Sequence, residues 1–283
     1  MAAMNTQLSI PPAPHRIELP ATGLPLAPPP RSTAPSAKTP PLEAVWARHA
    51  DEVEAAQRLR WRVFTQEMGA RLSPPPGTPE GVDADLFDAH CEHLIVRTVE
   101  TDDSPAEVVG TYRVLTPAAA KRLGGLYSDT EFDLVRLARL RPRLAELGRS
   151  CTAPAWRQGG VIMMLWSSLG SFMHRNGIEY ITGCASVSVR DGGRQAADLW
   201  HTLRQFHLAP PDDQVRPRLP LPVDELATGR AAEPPALIKG YLKCGGKLLG
   251  PPAWDPAFGT ADLPMMLRLA DLPGSYRRRF VGN

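Results

Sequence analysis

The stretch from Glu146 to Ser186 constrains the fold more than any other part of the chain. It reads as a strand, Glu146 to Thr152, followed by Arg157-Gln158-Gly159-Gly160. Val161, Met164, Leu165, Ser168, Leu169 and Phe172 then trace one face of a helix, and the run from Tyr180 to Ser186 is again strand-like. A glycine pair at a helix start lets backbone N–H groups come close to an anion. The strand before it carries a carboxylate, Glu146, and a guanidinium, Arg149, so the unit suits a phosphate-bearing ligand held beside charged side chains.

The remaining elements frame this unit. With 283 residues and 43% apolar content, the chain is long enough for one large domain or two small ones around a buried core. Pro11-Pro12-Ala13-Pro14, Pro28-Pro29-Pro30 and Pro40-Pro41 remove backbone donors and fix φ. Residues 1–42 are therefore expected as an extended or disordered leader, with the folded domain over 43–283. Val53, Ala56, Leu59 and Val63 recur at helical spacing and mark the first expected element. After a loop holding Pro74-Pro75-Pro76-Gly77, Leu94 to Val99 and Val108 to Leu115 read as a hairpin. A short helix from Ala118 to Leu123 precedes the central unit. Beyond Leu199 the pattern weakens through a Pro-rich insert, Pro210 to Pro222, before an apolar run from Leu263 to Leu269. The order implies an α/β fold.

Composition excludes several function classes. No run approaches the roughly 18–20 apolar residues of a membrane span, and the N-terminus lacks a secretory layout; a cytoplasmic location is expected. A net charge of +2 makes no field for nucleic acid. Cys91, Cys151, Cys184 and Cys244 are scattered singly, as reduced thiols are. His90-Cys91-Glu92-His93 looks like a metal motif, but i,i+3 ligands at a strand entrance splay to opposite faces, so no metal is expected. Arg277-Arg278-Arg279 reads as a solvated tail, with a patch for an acidic protein or an anionic membrane surface as the alternative.

Several motifs together are more specific: Trp61-Arg62-Val63-Phe64, Asp85-Leu86-Phe87-Asp88 ahead of Cys91-Glu92-His93-Leu94, Gly110-Thr111-Tyr112-Arg113, and Glu146-Leu147-Gly148-Arg149-Ser150-Cys151. With Leu165-Trp166, Gly183-Cys184-Ala185-Ser186, Ile238 to Leu242 and Asp255 to Phe258, the chain from about Val45 to Phe280 resembles the bacterial ornithine acyl-carrier-protein N-acyltransferases of ornithine-lipid synthesis. That family lies in the GNAT superfamily and is related to the acyl-homoserine-lactone synthases. The resemblance implies a GNAT-like fold, a mixed central sheet flanked by helices with a family-specific C-terminal extension. It also implies transfer of a 3-hydroxylated fatty acyl group from acyl carrier protein to the α-amine of ornithine. The donor would be the protein's acyl-phosphopantetheine, with no permanently bound cofactor. Two other readings stand beside it. One is a signal synthase or other N-acyl amino acid synthase, although Glu-Leu-Gly-Arg-Ser-Cys departs from the Trp-Glu-x-Ser-Arg-Phe form of signal synthases. The other is a non-catalytic acyl-carrier or membrane-binding module.

An amine attacking a thioester must lose its proton, so the site needs an acceptor, and Glu146 is the candidate, with Arg149 as its catalytic companion. Strict alternation puts Glu146 and Arg149 on opposite faces, so both reach one site only if a bulge near Gly148 realigns them. Arg62, Arg113 and Arg149 lie in apolar-flanked elements and need partners, for which Asp85 and Asp88 are available. The five charges form either a structural ion-pair network or an amino-acid site, guanidinium to carboxylate and aspartate to the second ammonium. Ser150 and Cys151 belong to the same substrate-binding strand; Cys151 is expected to be packing rather than a nucleophile. Backbone N–H groups at Gly159 and Gly160 and the charge of Arg157 suit an anion, and the resemblance implies that Arg157, Gln158, Gly159 and Gly160 contact the phosphopantetheine arm.

Overall fold

The computed structural model describes residues 40–280 apart from Asp103 and Gln158. Residues 1–39 of the Pro-rich leader, and Gln158 among the candidates, lie outside the described residues. The first element is a strand and not the expected helix. β1 (Leu42–Trp46) is an edge strand and pairs antiparallel with the strand Glu92–Thr98. All five of its residues are half-buried, so it shows no alternation to read.

The expected helix follows as α1 (Ala50–Trp61), which runs on into a π-helical segment, Arg62–Glu67. Ala56 and Leu59 form its buried face, continued by Val63 and Phe64. β2 (Glu92–Thr98) and β3 (Val108–Leu115) form the expected hairpin, with His93 opposite Arg113. α2 (Pro117–Leu123) begins on the Thr116 side chain, which accepts the Ala119 N–H, and stops at Gly124. After the short β4 (Phe132–Asp133) come β5 (Leu144–Thr152), α3 (Gly160–Arg175) and β6 (Tyr180–Ser188). These three are the strand–helix–strand unit read from the sequence. The C-terminal extension holds α4 (Arg194–His207), β7 (Arg216–Pro217), α5 (Val223–Leu226), α6 (Ala236–Lys243), β8 (Lys247–Leu248), β9 (Ala253–Asp255), β10 (Thr260–Arg268) and α7 (Gly274–Phe280).

The main sheet has the order β1-β2-β3-β5-β6-β10-β8, with β9 on β10, while β4 and β7 pair separately. β5 and β6 are the parallel pair, and α3 is the crossover that such a pair needs. α3 lies so close to β3 that a side chain at Gly110 would overlap Val161. One core packs Ala56 and Leu59 with Leu94, Val96, Leu165 and Leu169. Another packs β6 and β10 with α4 through Ala185, Val187, Leu199 and Leu263. Among the described residues, no helix is long and apolar enough to cross a membrane.

The β5–β6 ladder is short. Its rungs are Leu144 with Tyr180, Ala145 with Ile181 and Glu146 with Thr182. It then stops, although β5 continues to Thr152 and β6 to Ser188. Past Glu146 the two strands no longer exchange hydrogen bonds, which leaves backbone on both for a ligand.

Candidate active site

A cavity of about 930 Å³ opens beyond the last β5–β6 rung, walled by β5 from Glu146 to Thr152 and by β6 from Ile181 to Ser186. A bulge in β5 shapes it. Arg113 pairs with Gly148 and Thr111 with Cys151, so two steps along β3 match three along β5. Arg149 takes the irregular position at φ +51°, a backbone conformation that side chains other than Asn or Asp rarely adopt. The realignment expected near Gly148 therefore sits one residue later, and Glu146 and Arg149 both wall the cavity.

Arginines and aspartates form a closed network on one side. Arg60 of α1 is fully buried, donating from Nε to Asp83 Oδ2 at 2.8 Å and from Nη1 and Nη2 to Asp88 at 2.8 and 2.9 Å. Arg113 donates to Asp85 Oδ1 at 2.6 Å, and Arg149 reaches Asp85 Oδ2 at 3.1 Å. Arg149 also stacks on the Phe258 ring at 4.8 Å and the Tyr127 ring at 5.2 Å. Burial disfavours the Asp88 carboxylate, but the Arg60 hydrogen bonds and the charges of Arg60 and Arg113 outweigh it and hold Asp88 well below the usual range. Three guanidiniums meet three carboxylates, and the group is electrically balanced.

Arg62 is a correction. It is exposed and does not wall the cavity; the buried arginine of α1 is Arg60, two residues earlier. On a helix, a shift of two residues moves a side chain to the far face. The apolar neighbours Trp61, Val63 and Phe64 make Arg62 look enclosed in the sequence, while Arg60 sits in line with Ala56 and Val63.

Glu146 is 4% exposed. It accepts the Tyr127 N–H at 2.5 Å, the Ser128 N–H at 2.7 Å and the Ser128 hydroxyl. Burial raises its pKa; the Ser128 and Tyr127 donors and the Arg113 charge oppose this without cancelling it. Its carboxyl is thus fixed in orientation and more basic than a surface glutamate. Ser128 also contacts Cys184 Sγ at 3.6 Å, and Cys184 in turn lies 3.5 Å from Glu131 Oε2.

The donor-side candidates are split. Gly159 is the N-cap of α3 at φ +94°, which suits glycine, and no side chain caps the helix. Among the described residues, no side chain is bonded to its first-turn N–H groups. Arg157 walls the cavity but is held by Glu67 in a half-exposed pair at 2.5 and 2.7 Å. Gly160 borders a shallow groove with Met163, Ser167 and Arg279. Ser150 walls the cavity near Tyr112, whose hydroxyl bonds that of Tyr241, with Trp166 stacked on Tyr241 at 5.5 Å. Burial pushes the Cys151 thiol up to about 12 and Cys91 to about 12, so neither is poised as a thiolate.

The structure thus gathers Glu146, Arg149, Arg113, Ser150, Cys151, Arg157 and Gly159 on one cavity, with Asp85 and Asp88 behind the arginines. Sequence reasoning missed Arg60, Asp83, Tyr127, Ser128, Glu131 and Asp262. For Asp262 a signal existed: a carboxylate directly before the apolar run from Leu263 to Leu267, within the same strand, has no reason to be there unless it is used or paired.

An acetyltransferase (GNAT) domain is matched over residues 59–167, from the end of α1 into α3. The L-ornithine N(alpha)-acyltransferase of Rhizobium meliloti (strain 1021) is 34% identical over 245 residues, covering 83% of this chain and 82% of that protein. The enzyme of the same name from Rhodobacter capsulatus is 36% identical over 246 residues, covering 83% and 93%. Among solved structures, an N-acyl amino acid synthase from uncultured soil microbes has the same fold at 13% identity, with a TM-score of 0.51 over 85% of this chain and 96% of that one. An acyltransferase site on a GNAT fold, with this degree of likeness across most of its length, places the chain in the L-ornithine N(alpha)-acyltransferase family.

Proposed function

We propose that this acyltransferase moves a 3-hydroxylated fatty acyl group from the phosphopantetheine thioester of acyl carrier protein to the α-amine of ornithine, giving a lyso-ornithine lipid. The acceptor rests on the relatives' names. The observation that carries the reaction is Glu146, a buried carboxyl of raised pKa on the wall of a cavity that opens where β5 stops pairing with β6.

The neutral amine attacks the thioester carbonyl, and its proton passes to Glu146, directly or through water. Backbone N–H groups of β5 beyond the last rung hold the oxyanion, and collapse expels the phosphopantetheine thiolate, which takes up a proton. The amide C–N bond forms as the C–S bond breaks. The open first turn of α3 receives the phosphate of the donor arm. Phe64, Ile162, Met163 and Trp166 give the acyl chain an apolar wall. We place the enzyme in the cytoplasm, with exposed Arg277, Arg278 and Arg279 of α7 available to the acidic carrier or to an anionic membrane surface.

Lipid mass spectrometry after expression in a host without ornithine lipids tests the product; an acyl-lactone, or no new lipid, removes the proposal. Glu146→Gln should keep its fold by circular dichroism and lose about two to four orders of magnitude in turnover. Ordinary turnover in that variant removes Glu146 from the mechanism.

A further inference from the structure

The cavity has a second acidic group that the transfer itself does not use. Asp262 of β10 is 4% exposed and walls the cavity, as does Asp255 of β9. Glu131, just after the turn Tyr127–Thr130, stands behind Asp262, and one ligand atom each from Glu131, Cys184 and Asp262 lie within 4.8 Å of one another. The Thr260 hydroxyl donates to Asp262 Oδ1 at 2.9 Å. Glu131 Oε1 is out of contact with solvent and has no hydrogen-bond partner. Among the described residues, no cationic side chain forms an ion pair with Glu131, Asp255 or Asp262, although six other carboxylate–arginine contacts are made by the aspartates at 83, 85 and 88. Burial pushes Glu131 up to about 8, with the charges of Asp262 and Asp255 adding to it, and burial raises Asp262 as well. Carboxylates this close need either a shared proton or a cation from outside the chain.

We infer that Asp262, backed by Glu131, receives the side-chain ammonium of a diamino monocarboxylic acid acceptor and thereby selects which of its two amines is acylated. The inference rests on the acceptor reading given above and goes further by assigning the residues and the regiochemistry. An ammonium held against two carboxylates keeps its proton and is no nucleophile. The other amine is left for Glu146, which is joined to the acidic group through Ser128 and Cys184. A divalent metal is the competing occupant of three such groups. Elemental analysis, included in the test below, decides between the two occupants.

The test compares ornithine with 2-aminopentanoic acid, the same skeleton without the second amine, in the wild type, Asp262→Asn and Glu131→Gln. We expect the wild type to favour ornithine by at least about 100-fold in kcat/KM, because a site built for a polar group rejects the analogue lacking it. In Asp262→Asn that preference should fall by at least about tenfold, through KM for ornithine, with 2-aminopentanoic acid nearly unchanged and some product acylated on the side-chain amine. A wild type that treats the two acceptors alike overturns the inference, as does a folded pair of variants with the preference intact. Metal found by elemental analysis in the wild type but not in Asp262→Asn overturns it too. If Asp262→Asn does not fold, the wild-type preference and Glu131→Gln decide. Calorimetry keeps the two readings apart: ornithine binding that Asp262→Asn abolishes, without acyl transfer in the wild type, sustains the subsite and removes the proposed reaction.

Discussion

Two groups of three carboxylates face opposite electrostatic situations in this fold. Asp83, Asp85 and Asp88 each meet arginines, with Arg60, Arg113 and Arg149 closing the network. Glu131, Asp255 and Asp262 meet none among the described residues. Burial opposes charge in both places, but the outcome differs: Asp88 is held far down by its arginines, while Glu131 is pushed up to about 8. The difference separates framework from binding capacity. A balanced network ties the loop after α1 to β3 and β5 and presents Arg149 at the bulge. An unbalanced one is a standing demand for a cation or a proton.

The comparison breaks most easily at Arg60. Removing one partner of a buried pair strands the other charge, at a cost of about 3–5 kcal/mol. Against a total stability of about 5–15 kcal/mol, Arg60→Ala should unfold at a much lower urea concentration or fail to accumulate. Asp88→Asn should behave similarly. If the urea midpoint of either variant stays near the wild type, the network is not the framework.

A pH series sharpens the contrast. Glu131 rises from 4.5 in the unfolded chain to about 8 in the fold, so between these values the folded state binds the extra proton. Stability of the ligand-free protein should then fall as pH rises from about 4.5 through about 8. Glu131→Gln removes this contribution, and its thermal midpoint should decline less from pH 5 to pH 8 than that of the wild type. Asp88 has the opposite sign. Its stabilisation is complete above the unfolded value and is lost only as pH falls through the depressed folded value, so it adds no slope near neutrality. Equal slopes in wild type and Glu131→Gln would erase the distinction between the two groups.

These two groups also mark how far the sequence can be read. The central strand–helix–strand unit and the hairpin were legible because apolar periodicity and a glycine start are local signals. The need for a bulge was legible too, since Glu146 and Arg149 cannot share a face under strict alternation. Arg62 was mistaken for Arg60 because neighbouring apolar residues do not reveal which helix face is buried. Asp83 and Glu131 lie in irregular segments, where no period says which way a side chain turns. β1 escaped for a related reason, being an edge strand half-covered at every residue. Asp262 alone carried a usable sign, its charge within an apolar strand.

The smallest effect belongs to a third kind of charge pairing, the half-exposed bond between Arg157 and Glu67. Solvent screens such a pair, and exposed pairs contribute about 0–1 kcal/mol, so Arg157→Ala should leave the thermal midpoint nearly unchanged, in contrast to Arg60→Ala. Its consequence should appear in the donor. Acyl carrier proteins are acidic, and Arg157 lies beside the open first turn of α3, where the donor arm is proposed to enter. The apparent KM for acyl carrier protein should rise with salt as the Debye length shrinks from about 10 Å at 0.1 M to about 3 Å at 1 M. That slope should be shallower in Arg157→Ala, since one positive charge is missing from the docking face. A flat salt response in the wild type would remove electrostatic docking at this end of the cavity, and an unchanged slope in the variant would move it to other arginines, with Arg277, Arg278 and Arg279 of α7 next to be replaced.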